Sequence, residues 1–349
     1  MTETLRDLQT AAGASFDDSP VPISYGNDQS ALGAARHGCA LVDRSHWGRI
    51  QVSDDDRIRF LHNQSTNDFE RLQPGQGCDT VFVTSTARTL DLATAYILED
   101  EVLVLVSPDC RQSVLSWLDR YIFFADRVKL TDVTDESLAF SLIGPESAAI
   151  LKAAGASDLP EERASHRLFT LGEITVRVAV GSGLASPGYT LIAAAEDGAA
   201  LWQQLTAAGA MPLGEAGWEQ LRVEQGRPHP GRELTEDYNP LEAGLWHTIS
   251  FEKGCYIGQE TIARLDTYKG VKQQLWGLKL SAPVAPGSPV LAEDAKVGVL
   301  TSLVETEQGP LGLAYIRTKA GGSGLKVKVG ESDGEVIDVP FLSRDRNHE

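Results

Sequence analysis

The stretch Lys253-Gly254-Cys255-Tyr256-Ile257-Gly258-Gln259-Glu260 decides how this chain is read. A cysteine lies between two glycines, with a lysine two residues before it. Glycines at 254 and 258 let the backbone turn tightly and approach whatever docks there. From Gln259 to Leu265 the residues are good helix formers, with Ile262 and Leu265 at helical spacing. The pattern predicts that Cys255 lies just ahead of a helix N-terminus. Free backbone N–H groups, the helix dipole and Lys253 would all favour a thiolate there. The competing reading is a buried structural cysteine in a turn, since single cysteines often serve as small core residues.

Outward from this motif, residues 253–279 hold five basic side chains, Lys253, Arg264, Lys269, Lys272 and Lys279, against two acids, Glu260 and Asp266. In a chain of net charge -18 this is a local basic island. It could attract a carboxylate, or it is a solvated lysine face. Upstream, Gly217–Gln225 reads as a helix stopped by Gly226 and Pro228. On it Trp218 and Leu221 share a face, and Arg222 follows Trp218 at a spacing of four. A guanidinium at the border of an aromatic face suits a planar anion, by stacking or by a forked carboxylate contact. The alternative is a surface arginine paired with Glu219.

The eight-residue motif resembles that of the YgfZ-type folate-binding proteins. These are the iron–sulfur maintenance branch of the glycine-cleavage T-protein (aminomethyltransferase) family. The resemblance extends from about Leu41 to about Arg317, and Tyr238–Leu278 is most similar to the cyanobacterial and chloroplast members. Leu221-Arg222-Val223-Glu224-Gln225-Gly226 resembles the T-protein segment whose arginine lines the folate site. The resemblance implies an α+β fold of two lobes plus a small C-terminal β-barrel around a central tetrahydrofolate cavity. It assigns Cys255 and Lys253 to the chemistry, and Arg222, Trp218, Asp91, Tyr189 and Trp246 to the reduced folate. Iron–sulfur enzymes or cluster-assembly proteins are the implied partners.

Two departures separate this chain from a catalytic T-protein. T-proteins carry paired acids after a Gly-Gly hairpin, whereas here the hairpin reads Thr86-Ala87-Arg88-Thr89-Leu90-Asp91-Leu92, with a single acid. Their Gly-Tyr-Glu segment, which holds the pterin, corresponds here to Gly188-Tyr189-Thr190. Threonine cannot make the two-point pairing that an aminopyrimidine edge offers a carboxylate. Cys255 also stands where T-proteins have an acid. The leading reading is therefore a tetrahydrofolate-binding iron–sulfur maintenance factor. The alternatives are a true aminomethyltransferase and a scaffold that binds nothing small.

Composition sets wider bounds. At 349 residues the chain suggests two or three domains and has ample core without disulfide staples. So acidic a protein repels polyphosphate and anionic lipid, which argues against nucleic-acid and membrane partners. The four cysteines, Cys39, Cys78, Cys110 and Cys255, form no Cys-x-x-Cys pair, so no zinc-finger or ferredoxin spacing exists. Their sparseness fits a reducing compartment. With no signal-peptide, transit-peptide or membrane-span pattern, the expected location is cytoplasmic.

Along the chain, helices are expected at 30–39, 54–67, 109–123, 146–154 and 197–208. Strands are expected at 40–52 (interrupted at Gly48), 80–85, 90–98, 102–106, 128–133, 138–143, 174–180 and 189–194. The short antiparallel links argue for α+β rather than a parallel Rossmann sheet, and no Gly-x-Gly-x-x-Gly follows a strand. Residues 1–271 form the folate-binding region in this reading. Residues 272–349, with turns at Pro283, Pro286-Gly287 and Gly321-Gly322, form the barrel. His46 and Trp47 face either a ligand or a half-buried edge, and 343–349 reads as a polar tail.

Overall fold

The computed structural model describes residues 4–346, so the last three residues of the expected polar tail lie outside the described part. Helices are α1 (Leu5–Ala11), α2 (Asp28–His37), α3 (Arg57–Gln64), α4 (Arg111–Asp119), α5 (Ser147–Ala153), α6 (Gly198–Ala207), α7 (Glu215–Gln225) and α8 (Gln259–Thr267). Strands β1 to β6 are Ala40–Asp43, Gly48–Ser53, Gly77–Val83, Thr89–Ile97, Glu101–Val106 and Lys129–Asp132. Strands β7 to β11 are Ser137–Ile143, His166–Leu171, Ile174–Val180, Gly188–Ala194 and Met211–Leu213. Strands β12 to β17 are Gln273–Leu280, Pro289–Ala292, Ala295–Thr306, Gly309–Arg317, Lys326–Val329 and Ser332–Ile337.

By internal contact the chain forms two compact units: residues 1–57, 71–78 and 94–219, and residues 58–70, 79–93 and 220–349. The first holds a six-stranded sheet in the order β11-β1-β7-β10-β9-β8. Only β11 runs parallel to its neighbour; β7, β10, β9 and β8 pair antiparallel. In β9, Ile174, Val176 and Val178 alternate with Thr175 and Arg177, and the three apolar residues are buried. This period of two turns one face onto a core with Leu201, Trp202 and Leu205 of α6 and Ile150 and Leu151 of α5. The same unit contains β5, β2 and β6 of a sheet ordered β3-β4-β5-β2-β6. In β5 every residue from Val102 to Val106 is buried, as its continuous apolar run predicts.

The expected interruption near Gly48 is a change of sheet. β1 ends at Asp43 in the six-stranded sheet, and β2 begins at Gly48 in the other. A side chain at 48 would press on Val106 and on Arg111, whose Cβ lies 2.9 Å from the place a Cβ would occupy. Helix α3 is shorter than expected and stops at Gln64. Beyond it Ser65 bridges to Phe82, and the Thr66 hydroxyl accepts from Val81 N at 2.9 Å, so the chain has turned to run beside a strand.

The second unit contains a closed barrel in the order β12-β15-β14-β13-β16-β17 around Leu278, Val290, Leu300, Ala314, Ile316, Val329 and Val336. The turn-punctuated C-terminal region thus builds the expected all-β element. A register shift between Leu300 and Ser302 inserts Thr301 as an extra residue in β14. Such a bulge re-aims side chains, and here the Thr301 and Ser302 hydroxyls both donate to one buried acid, Glu233. No helix among the described residues is long and apolar enough to cross a membrane.

Candidate functional site

The motif loop is fastened at nearly every residue except its cysteine. Lys253 is buried, and its ammonium donates to the carbonyls of His62, of Ser65 at 2.8 Å and of Asn67 at 2.6 Å. Three acceptors match the three N–H bonds of an ammonium group. They stand in and just beyond the last turn of α3, where carbonyls lose their helical partners and a cation is favoured. The Tyr256 ring centre lies 4.7 Å from the same nitrogen. Ile257 N donates to Asn63 O at 3.0 Å, and Ser250 N to Thr66 O at 3.0 Å. Residues 62–67 therefore form the floor to which the loop is attached.

Behind the loop, Tyr256 and Ile262 pack with Ala87, Leu241, Trp246 and Ile249. Trp246 sits in a short 3₁₀ turn, Trp246–Thr248, and its indole N–H donates to Leu241 O at 3.2 Å. Gly258 has φ +82°, and a Cβ there would meet Thr84 O at 2.8 Å and Ala87 Cα at 3.1 Å. Only glycine fits this position, where the loop crosses the Thr84–Ala87 turn. At Gly254 a Cβ would meet only His62 Nε2, at 3.8 Å, so space does not demand glycine there. Helix α8 follows directly at Gln259, four residues after Cys255. Cys255 itself is exposed, whereas Cys39 and Cys110 are buried and Cys78 is partly covered.

This geometry changes the part given to Lys253. The sequence reading set its charge beside the thiol. The ammonium instead turns inward, because the end of α3 offers it three carbonyls. Lys253 leaves the basic island for those carbonyls, while Lys269, 3.6 Å from Asp266, stays beside Lys272 in the wall of one cleft. Lys272 joins Arg88, Arg317 and Lys319 in lining this cleft of about 790 Å³, which also contains Glu242 and Asp237. Burial raises the pKa of Glu242, against the pull of Arg88 and Lys272.

Arg222 on α7 is fully buried. Its Nη1 lies 3.3 Å from Glu233 Oε2 and donates to Arg227 O at 3.3 Å, and its Nη2 donates to Ser302 Oγ at 2.9 Å. Glu233 also accepts from Thr301 and Ser302 at 2.6 Å each and from His229 N at 3.0 Å. Arg222 is thus paired with a buried acid eleven residues on, a partner that the sequence reading did not name. The Tyr315 hydroxyl donates to Glu233 O at 2.8 Å, and its ring stacks on Tyr238 with centres 3.5 Å apart.

Trp218 is buried in the first unit. It meets Trp47 edge-on at 5.9 Å, and the Arg44 guanidinium lies 4.7 Å from its ring and 3.6 Å from that of Trp47. Trp47 is thereby buried rather than a half-buried edge. Tyr189 on β10 is half-buried opposite Leu142 and Val180, and burial raises its pKa. Beside it the Thr190 hydroxyl donates to Gly181 O at 2.8 Å. Asp91 is fully buried on β4. The second unit therefore gathers Lys253, Cys255, Trp246, Arg222 and Asp91, whereas Trp218 and Tyr189 belong to the first.

A family description, the GCVT N-terminal domain, matches residues 11–253. The chain belongs to the GCVT-domain family. Among curated relatives, "Putative transferase At1g60990, chloroplastic" of Arabidopsis thaliana is 46% identical over 342 residues, covering 97% of this chain and 79% of that protein. An aminomethyltransferase of Geobacillus kaustophilus is 28% identical over 349 residues, covering 94% of each chain. The crystal structure of the glycine cleavage system aminomethyltransferase T from Bartonella henselae superposes with a TM-score of 0.85 over 97% of both chains, at 22% identity. The fold is therefore T-protein-like, closed C-terminal barrel included.

Three residues of this GCVT-family chain escaped the sequence reading. Glu233 lies in a Pro- and Gly-rich turn region, where a buried acid has no local signature. Arg44 precedes the His46-Trp47 pair that was singled out, yet it is the fully buried cation there. His62 is buried on α3, with Nδ1 3.3 Å from Asp68 Oδ1, and burial followed by the Lys253 charge lowers its pKa. The available signal for His62 was a histidine four residues after Ile58, on the apolar side of a predicted helix, and six residues before an aspartate.

Proposed function

We propose that this protein binds tetrahydrofolate and supports the assembly or repair of iron–sulfur enzymes, in the manner of the YgfZ-type branch of its family. The observation that carries the reading is the exposed thiol of Cys255 on a loop anchored on both sides of it. Lys253 is sunk into carbonyls, Tyr256 into a core and Gly258 against a hairpin, so the sulfur is presented at a fixed place. A thiolate is the form that attacks disulfides or persulfides and ligates iron. One cysteine does not hold a cluster, so contact with a cluster is shared with a partner protein. Within the second unit, Arg222, Asp91 and Trp246 are assigned to the folate, with Arg222 acting from within its pair with Glu233.

Aminomethyl transfer is the second reading, favoured by the relatives that bear that name. It needs a carboxylate at the folate nitrogen, and the hairpin supplies only the single acid Asp91, with Thr190 in the pterin segment. The test is Cys255→Ser, expressed in cells lacking the protein. The variant should keep its melting temperature, because the side chain is exposed, and should fail to restore iron–sulfur enzyme activity. Full restoration would remove the thiol from the function. Robust aminomethyl transfer by the purified protein, lost in Asp91→Asn, would put the second reading first.

A further inference from the structure

A cavity of about 540 Å³ lies within the first unit and is lined by none of the residues assigned above. Its wall includes Gln76, Glu99 and Pro160, together with His166 and Arg167 of β8 and Arg177 of β9. Arg177 is half-buried. Among the described residues its guanidinium makes one hydrogen bond, from Nη1 to His166 Nδ1 at 2.9 Å, and no ion pair. His166 is 5% exposed and lies edge-on to Tyr96 at 5.5 Å. Burial and the Arg177 charge push its pKa down to about 4, so the imidazole is neutral at neutral pH. Accepting at Nδ1, it carries its proton on Nε2. A neutral ring does not compensate a guanidinium. Glu101 attracts Arg177, but its carboxylate accepts from the Gln51 amide. Arg167, exposed, adds a second cation and donates to Asp158 O at 3.2 Å.

A half-buried guanidinium whose one hydrogen-bond partner is neutral bears a desolvation cost, and burial outweighs the attraction of Glu101 in lowering its pKa. Its remaining N–H groups form a planar fork whose spacing fits two oxygens of one anion. We propose that this cavity is a binding site for a small oxyanion, a carboxylate or a phosphate monoester, gripped by the Arg177 fork with Arg167 beside it. The site is independent of the folate reading and of Cys255.

The experiment titrates the full-length protein at pH 7 and constant ionic strength with inorganic phosphate and, separately, with succinate. It reads heat by calorimetry and the His166 imidazole resonances by NMR. Saturable binding of one or both probes is expected, with the His166 signals shifting along the same isotherm; the probe that binds identifies the oxyanion class. Arg177→Gln should weaken binding by about tenfold or more, the loss of one charge-assisted contact. Arg167→Gln, at an exposed position, should weaken it less and keeps the test alive if Arg177→Gln does not fold. Absence of saturable binding by both probes, unmoved His166 resonances, or equal affinity in the Arg variants would each overturn the proposal.

Discussion

Arg222→Ala is expected to destabilise the protein by about 3 kcal/mol. Both partners of the Arg222–Glu233 pair are withdrawn from water, at 1% and 0% side-chain exposure. Removing one member of such a pair costs about 3–5 kcal/mol, chiefly because the other charge is left buried. The lower end applies here, since Glu233 would keep Thr301, Ser302 and His229 N as donors. Urea unfolding followed by hydrogen exchange in β14 and β15 reads the change where it arises, without assuming that both units unfold together. The double variant Arg222→Met with Glu233→Leu removes both charges and should recover most of the loss, because apolar replacements of buried pairs are often neutral. With the single variants Arg222→Met and Glu233→Leu measured beside it, the cycle reports the coupling. If Arg222→Ala lies within about 0.5 kcal/mol of wild type, the typical scatter of surface changes, the pair does not hold the α7–barrel contact and the reasoning fails.

Lys253→Met should cost about 1–3 kcal/mol, the penalty for leaving buried acceptors without donors, and should speed amide exchange at residues 62–67. An unchanged exchange pattern would return Lys253 to the role of a free charge beside the thiol. His166 titrates at about 4 in the fold and near 6.5 when unfolded. Between these values the unfolded chain binds the extra proton, so stability falls as pH drops from 6.5 towards 4, by about 3 kcal/mol in total. His166→Gln should flatten that limb of the stability–pH curve.

The elements most legible in the sequence were those with one clear period. β9 and β10 were located to the residue or within one, and α4, α5 and α6 within a few, because their apolar spacing survives in the burial pattern. β8 was missed: it is an edge strand with Arg167, Leu168 and Thr170 exposed, so its alternation is lost. β11 was too short to leave a pattern, and α1, as long as α5, buries only Leu8 and Gln9 and so shows no apolar stripe. At the candidate site, the glycine at 258 and the helix after it were readable because turns and caps are local. The acceptors of Lys253 and the carboxylate facing Arg222 were not. His62 is 191 positions from Lys253, and Ser302 is 80 from Arg222. Spacing along one element carries no trace of a partner brought in by the tertiary fold.

The most direct test of the folate assignment is a calorimetric titration of the purified protein with tetrahydrofolate, run beside Arg222→Ala once that variant is shown to be folded. Saturable binding to wild type is expected, with weaker binding by the variant, in which the buried Arg222–Glu233 pair is broken. No binding by wild type would contradict the folate assignment and leave a T-protein-like scaffold; equal binding by both proteins would remove Arg222 from the site.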